Sequence, residues 1–470
     1  MPYNFDHPSS GSSNYFSGLA SGEKIQKKEE DVEKKIIFGT DISKNNPPEV
    51  EKGILRFYDK SGKSFSLSDD LMSKHLLLLG GIGCGKTTIF NQIIEQLSRK
   101  ITDQDVMIIF DTKGDFYRKF YNRKDSRHLL IGNAEQYVKE TCYWNIYKEL
   151  LMPDGTYNKA ICDVAAKEIA KQLFKGRESS SQPFFSDAAA DLLSKVLIFF
   201  MRHGKTNLLN NEVLVGWLKN ATAESYIALT SKKGFPDFHS ARSYIGQGNT
   251  PQALGVLGYI NSMVDDLFVG VFSKKAEEER KELSMRRLVR EAGGKILFVE
   301  YDLSVGEVLG PIYKILFDLA LKEALGRRET SDGCKRNVYL IIDEFKLLPE
   351  LLHIDDGLNF GRSLGVKIFA GLQSVSQLSQ VYGEERAKVI AAGFMNQFCF
   401  YTWDKESRDF IRQRFGDTYM DYMFYDSKGE PVHRQREGHV VEDWDILGLK
   451  TGDAYISLIG YDPFFFQFRE

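Results

Sequence analysis

The chain has 470 residues, 42% of them apolar and 27% charged, a composition that excludes wholesale disorder, a fibrous repeat and a disulfide-stapled miniature. Its 62 Lys and Arg against 65 Asp and Glu leave a formal charge of −3, so no global basic field exists and any nucleic-acid contact has to be local. At about 150 residues per domain, the length corresponds to two or three domains with a full-sized core.

Residues 1–35 run through SSGSS, SGLASGE and KIQKKEEDVEKK, too polar to bury anything, and read as a flexible N-terminal arm. IIFGTDI and ILRFYDKSGKSFSL follow as short strands, the second folded as a hairpin around Ser61 and Gly62. From Lys74 to Lys119 an apolar run (HLLLL), a glycine-rich turn, an amphipathic segment (IFNQIIEQLSRK) and a second apolar run (VMIIF) spell strand, loop, helix, strand. Glu149 to Ala292 has helical periodicity and no convincing strand, and reads as an all-α insertion. Beyond it come the apolar runs ILFVEYDL, VYLIIDEF and VKIFAGL, separated by helical segments such as Gly306 to Arg328. Continuous apolar runs suit parallel strands covered on both faces. The expected fold is therefore α/β with a mainly parallel sheet, divided as 36–148, an insertion at 149–291, and 292–470.

The longest apolar runs, Leu76 to Leu79 and Val196 to Met201, fall far short of the roughly 18 to 20 residues that cross a bilayer. No transmembrane segment, signal peptide or lipidation motif is read, and a cytoplasmic location is expected. The five cysteines are scattered without a CxxC pair, and the histidines lack ligand spacing, so neither disulfides nor zinc are expected. Cys84, near a helix N-terminus, is a candidate for alkylation.

Gly80, Gly81, Ile82, Gly83, Cys84, Gly85, Lys86 and Thr87, followed by Thr88, match GxxxxGK[ST] between a strand and a helix. Glycines let successive backbone N–H groups wrap phosphates, and the helix N-terminus favours their charge. Lys86 then serves the β- and γ-phosphates and Thr87 the Mg2+ of a bound nucleoside triphosphate. A second motif, the apolar strand Val338 to Ile342, ends in Asp343 and Glu344. Asp343 is placed to hold Mg2+ through water, and Glu344 to act as the base that orients attacking water. Two strands intervene in sequence between these motifs, which favours a RecA-like core over small GTPases and nucleotide kinases. Gln373, at the end of VKIFAGL, either senses the γ-phosphate or is a buried hydrogen-bonding amide. Arg362 is either a surface arginine or a finger reaching a neighbouring subunit's nucleotide.

Taken in order, GGIGCGKTT, FDTKGDF (110–116), WNI (144–146), FFSDAA (184–189), LIIDEF (340–345) and GRSLGVKIFAGLQSVSQLSQVYG (361–383) resemble the TrwB/TraD-type coupling proteins of conjugative DNA transfer, within the FtsK/HerA superfamily. The resemblance covers roughly residues 36–470 and implies a RecA-like P-loop NTPase core plus an inserted all-α domain. It further implies a homohexameric ring that hydrolyses ATP with Mg2+ between subunits and translocates DNA, single- or double-stranded and without sequence preference. In that arrangement Lys86, Thr87, Asp343, Glu344 and Gln373 form the site in cis and Arg362 acts in trans. Asp111, Lys113 and Asp115 match a strand-end signature of the family without an assigned chemistry. Family members usually carry N-terminal transmembrane helices where this chain has its polar arm, so any membrane attachment would come from a separate partner; a relaxase or a membrane-anchored secretion partner is expected beside DNA. Candidate DNA contacts are Lys232, Lys233, Lys274, Lys275, Arg280, Lys281, Arg286, Arg287 and Arg290, and the aromatic segment 234–249, which suits a nucleic-acid loop or a packed seam equally. The alternative function is an ATP-dependent switch or adaptor, in DNA transfer or phage defence, that binds partners by nucleotide state without moving along DNA.

Overall fold

In chain order the strands are β1 (Glu33–Phe38), β2 (Gly53–Tyr58), β3 (Ser64–Ser68), β4 (Leu76–Leu79), β5 (Val106–Asp111), β6 (His128–Ile131), β7 (Tyr143–Trp144), β8 (Glu282–Leu283), β9 (Lys295–Glu300), β10 (Val338–Ile342), β11 (Val366–Leu372), β12 (Asn396–Cys399), β13 (Asp417–Tyr425), β14 (Pro431–His439), β15 (Asp453–Ser457) and β16 (Phe464–Gln467). The computed structural model describes residues 33–42, 45–177, 183–203, 205–233, 235–246, 248, 250–278, 281–326, 336–348, 350–425 and 430–469.

Among the described residues, nine strands form one sheet in the order β16, β15, β12, β4, β11, β10, β5, β9, β6. The seven strands from β12 to β6 are parallel, and β15 and β16 extend the edge as antiparallel neighbours. Strand β4 thus lies between β12 and β11, with β10 one place further on. All parallel strands end on the same edge, which is where loops of such sheets bind ligands.

Every residue of β4, β5, β10 and β11 is buried, because side chains leave alternately for two apolar layers. Leu76, Leu78, Met107, Ile109, Ile341 and Phe369 pack with Ile89, Phe90, Ile93 and Ile94 of the helix Lys86–Ser98. The same layer holds the β2–β3 hairpin and the C-terminal phenylalanines, with Phe65 and Phe466 edge to face at 4.8 Å. Leu77, Leu79, Ile108, Phe110, Leu340, Ile342 and Ile368 face the opposite layer, under the helix Gly310–Leu325.

Five longer helices, Lys159–Phe174, Phe184–His203, Asn211–Asn220, Ala223–Thr230 and Pro251–Leu267, occupy the segment read as an insertion. Their buried side chains belong to the same continuous apolar cluster as that second layer. The entrance and exit of the segment meet in a parallel pair, Tyr143 with Glu282 and Trp144 with Leu283. The WNI motif is the joint. Asn145 donates to the Leu209 carbonyl at 3.0 Å and its Oδ1 accepts from the Tyr147 N–H, while Asn211 accepts from the Ile146 N–H and donates to the Trp144 and Phe272 carbonyls.

A separate compact unit contains β1, β13 and β14 as a three-stranded sheet. In it β1 runs antiparallel to β13, with Ile36 opposite Met420 and Lys35 opposite Asp421. Strand β1 begins at Glu33, inside the stretch read as arm; its charged start, Glu33, Lys34 and Lys35, suits an edge strand as well as a solvated coil. Residues 1–32 lie outside the described residues.

Candidate nucleotide site

The loop between β4 and the helix Lys86–Ser98 turns through Gly83 and Gly85, at φ +76° and +108°, conformations that side-chain-bearing residues rarely adopt. The loop is anchored at both flanks. Gly80 N–H donates to the Leu372 carbonyl of β11 at 3.0 Å, and Gly81 N–H donates to the Tyr401 carbonyl beyond β12 at 2.7 Å. Lys86 is buried, and its amine donates to the Gly80 and Gly81 carbonyls at 2.5 and 3.0 Å, so the cation lies inside the curve of the loop. Ile82 stands 84% exposed at the tip. Cys84 is buried, and desolvation pushes its thiol up despite Lys86 nearby. This corrects the expectation of a reactive thiol: the helix N-terminus does not compensate for exclusion from water.

Strand β10 brings the acidic pair to the same edge. Thr87 Oγ1 lies 3.5 Å from Asp343 Oδ1, an arrangement in which a hydroxyl and a carboxylate could share one divalent cation. Burial, with the neighbouring Glu344 charge next, pushes the Asp343 carboxyl up to about 6, and Lys86 opposes the shift. Glu344 is also raised, chiefly by burial, against hydrogen bonding from Gln373 and the charge of Lys86. Gln373 Nε2 donates to Glu344 Oε2 at 2.6 Å. Glu344 Oε1 is buried with no hydrogen-bond partner, the orphaned acceptor that an attacking water would fill. Gly371 permits this geometry: a Cβ there would sit 2.1 Å from the Asp343 carbonyl. The glycine is legible only as a gap in VKIFAGL, and its role depends on β10 lying beside β11, a pairing that sequence spacing does not reveal.

Arg362 does not join this group. It precedes β11, whereas Gln373 follows it, so the strand's seven residues put the two about 20 Å apart. Its guanidinium pairs with Asp70 at 2.8 Å, and both side chains are more than half exposed. Asp111 is buried at the end of β5, where it accepts from the Tyr117 N–H at 2.8 Å and the Lys113 N–H at 3.4 Å, while Asp115 pairs with Arg118. These contacts shape the turn into the helix Asp115–Phe120.

Several basic candidates have structural partners. Arg286 and Arg290 both clamp Glu323 of the helix Gly310–Leu325, at 2.9 and 3.0 Å, Arg287 pairs with Glu291, and Lys281 donates to the Lys139 carbonyl. Lys232 lies 4.5 Å above the Phe199 ring, while Lys233, Lys274 and Lys275 are exposed. Arg280 lies outside the described residues. In the segment 234–249, Phe235 and Phe238 are buried and Arg202 covers both rings, which is the packed-seam alternative for those two residues.

Residues 61–434 match the family described as the type IV secretion-system coupling protein DNA-binding domain. Coupling protein TraD of Escherichia coli (strain K12) is 21% identical over 347 residues, 72% of this chain, and the chain spans 44% of the length of that relative. The solved structure of the bacterial conjugative coupling protein TrwBdeltaN70 in an unbound form superposes with a TM-score of 0.63 at 18% identity, covering 90% of this chain and 89% of the other. TrwB in complex with ADP and Mg2+ gives 0.60 at 18% identity over 94% of each chain. VirB4 of Thermoanaerobacter pseudethanolicus gives 0.52 at 12% identity, covering 90% of this chain and 98% of that one. The fold is that of the RecA-like NTPases with a helical domain, and the chain belongs to the type IV secretion-system coupling protein family.

Proposed function

We propose that this protein is an ATP-hydrolysing, Mg2+-dependent DNA translocase that works as a ring, with six subunits as the expected number, and moves or delivers mobile-element DNA. The observation that carries the hydrolytic part is the pair Glu344 and Gln373 beside the glycine loop: one carboxylate oxygen is fixed at 2.6 Å and the other is buried and unpartnered. The ADP and Mg2+ complex of TrwB supports nucleotide and metal binding, and the family description supports DNA as partner.

The residues present fit the groups required. The backbone N–H groups from Gly83 to Thr88 cradle the phosphates at the start of the helix Lys86–Ser98, and Lys86 exchanges its loop carbonyls for phosphate oxygens. Thr87 and Asp343 would hold Mg2+, and the ion would supply neutralisation of charge developing on the transferred phosphoryl group. Glu344 Oε1 accepts a hydrogen bond from the attacking water and takes its proton as the P–O bond to the leaving diphosphate breaks. Burial favours this by raising the basicity of the carboxylate. Gln373 holds the other oxygen, so the base presents a single acceptor in one direction. Arg362, far from its own chain's site, stabilises the equatorial phosphoryl oxygens of a neighbouring subunit.

The direct test is nucleotide binding and turnover by purified Lys86→Ala and wild-type protein with Mg2+. Wild type is expected to bind and hydrolyse ATP, and Lys86→Ala to lose binding at least tenfold and turnover entirely. A Lys86→Ala protein that hydrolyses ATP at the wild-type rate contradicts the assignment.

A further inference from the structure

Large aromatic side chains seldom stand in water, and Trp403 is 75% exposed at the ligand-binding edge of the sheet. Its position follows from β12, which runs parallel to β4 with Cys399 opposite Leu79, so both chains leave the sheet side by side. Phe400 N–H donates to the Leu79 carbonyl at 2.8 Å, and the Tyr401 carbonyl accepts from Gly81 at 2.7 Å, so the segment after β12 follows the start of the phosphate loop. Two residues later comes Trp403, edge to face with Tyr401 at 5.6 Å and 84°.

The surroundings fix the backbone and leave the indole open. The Trp403 carbonyl accepts from Arg408, which also reaches Asp443 at 3.3 Å. Asp404 caps the helix Lys405–Phe415 through the Ser407 N–H at 2.8 Å, accepts from Ser376, and donates its own N–H to Thr402. Glu344 and Gln373 lie on the β11 and β10 side of the loop and define where the terminal phosphate sits. The remainder of a nucleoside triphosphate has to leave toward the other side, where β12 ends.

We propose that Trp403 is the platform on which the base of the bound nucleotide stacks, with Tyr401 bracing the indole; this rests on the ATP-binding reading above. Stacking on an indole face is tolerant of base identity, so the platform adds affinity for nucleotides as a class.

The test is calorimetric titration of the full chain with a non-hydrolysable ATP analogue and, separately, with inorganic tripolyphosphate, both with Mg2+. Trp403→Ala is expected to weaken the analogue about tenfold or more and leave tripolyphosphate unchanged, and Trp403→Phe to restore most of the loss. In a Trp444→Phe background, the analogue should quench tryptophan emission and tripolyphosphate should not. Unchanged analogue binding by Trp403→Ala, or an equal loss for both ligands, overturns the base platform alone. A wild-type chain that binds neither ligand overturns the ATP reading and the platform with it.

Discussion

Glu344 has one oxygen fixed by Gln373 and the other buried without a partner, an asymmetry that supports the proposed role of base over that of a second metal ligand. Glu344→Gln is therefore expected to retain ATP and lower single-turnover hydrolysis by about a hundredfold or more, since a positioned base contributes that order of acceleration. Normal turnover would remove the base assignment. The turn through Gly83 and Gly85 and the strand that ends at Asp343 and Glu344 were legible in sequence because positive φ favours glycine and burial on both faces demands an apolar run. His75 was not. It is buried at the foot of β4, where Nε2 contacts the Leu358 carbonyl at 3.2 Å and Nδ1 accepts from the Ile368 N–H at 3.2 Å, both backbone groups nearly 300 residues away. Burial depresses its pKa from 6.5 to about 4, so the neutral ring belongs to the folded state. The associated stability is complete above pH 6.5 and is lost progressively as pH falls toward 4, on the order of 3 kcal/mol in total. Urea midpoints of wild type and His75→Gln across that window check this: the wild-type slope with pH should be the steeper, and parallel slopes would contradict it.

At the scale of elements, the joint around the helical segment depends on one carboxylate. Glu149 is fully buried and accepts from Trp144 Nε1 at 3.1 Å, Ser284 Oγ at 3.0 Å and the Met285 and Arg286 N–H groups at 2.6 and 3.1 Å, closing the N-terminus of the helix Met285–Glu291. Glu149→Ala leaves these donors buried and unpaired, and should lower unfolding free energy by about 3 kcal/mol in urea titrations. A loss below about 1 kcal/mol would mean that water replaces the carboxylate. Strands β4, β5, β10 and β11 could be read because burial on both faces demands uninterrupted apolar runs. Strand β12 could not, because its NQFC begins with two polar residues that are fully buried. Their amide NH2 groups donate to backbone carbonyls: Asn396 to Leu71 and His75, and Gln397 to Ala391 and Phe394. Strand β14, PVHRQREGH, is largely polar and pairs with β13, so it left no hydrophobic signature.

At the scale of the whole molecule, the glycine loop, Thr87, Asp343 and Glu344 lie at one sheet edge, and Arg362 lies elsewhere, paired with Asp70. The exposed pair of Arg362 with Asp70 contributes at most about 1 kcal/mol, so stability gives this arginine no large role within its own subunit. Arg362→Ala is expected to bind ATP normally and fail to turn it over, whereas Asp70→Asn should retain turnover. Equal losses from both substitutions in a steady-state assay would make the arginine a surface ion-pair partner only. Among the described residues no helix is long and apolar enough to cross a membrane, and the exposed Lys233, Lys274 and Lys275 are the basic candidates without a structural contact on this chain's account.

Coupling of ATP hydrolysis to movement along DNA is tested most directly by the steady-state ATPase rate with single- and double-stranded DNA of graded length, with particle mass determined on the same samples. Stimulation that rises with DNA length, in particles of six subunits, is the result this account predicts. A rate indifferent to DNA, from a monomer or dimer, would contradict it and leave a nucleotide-dependent switch as the function.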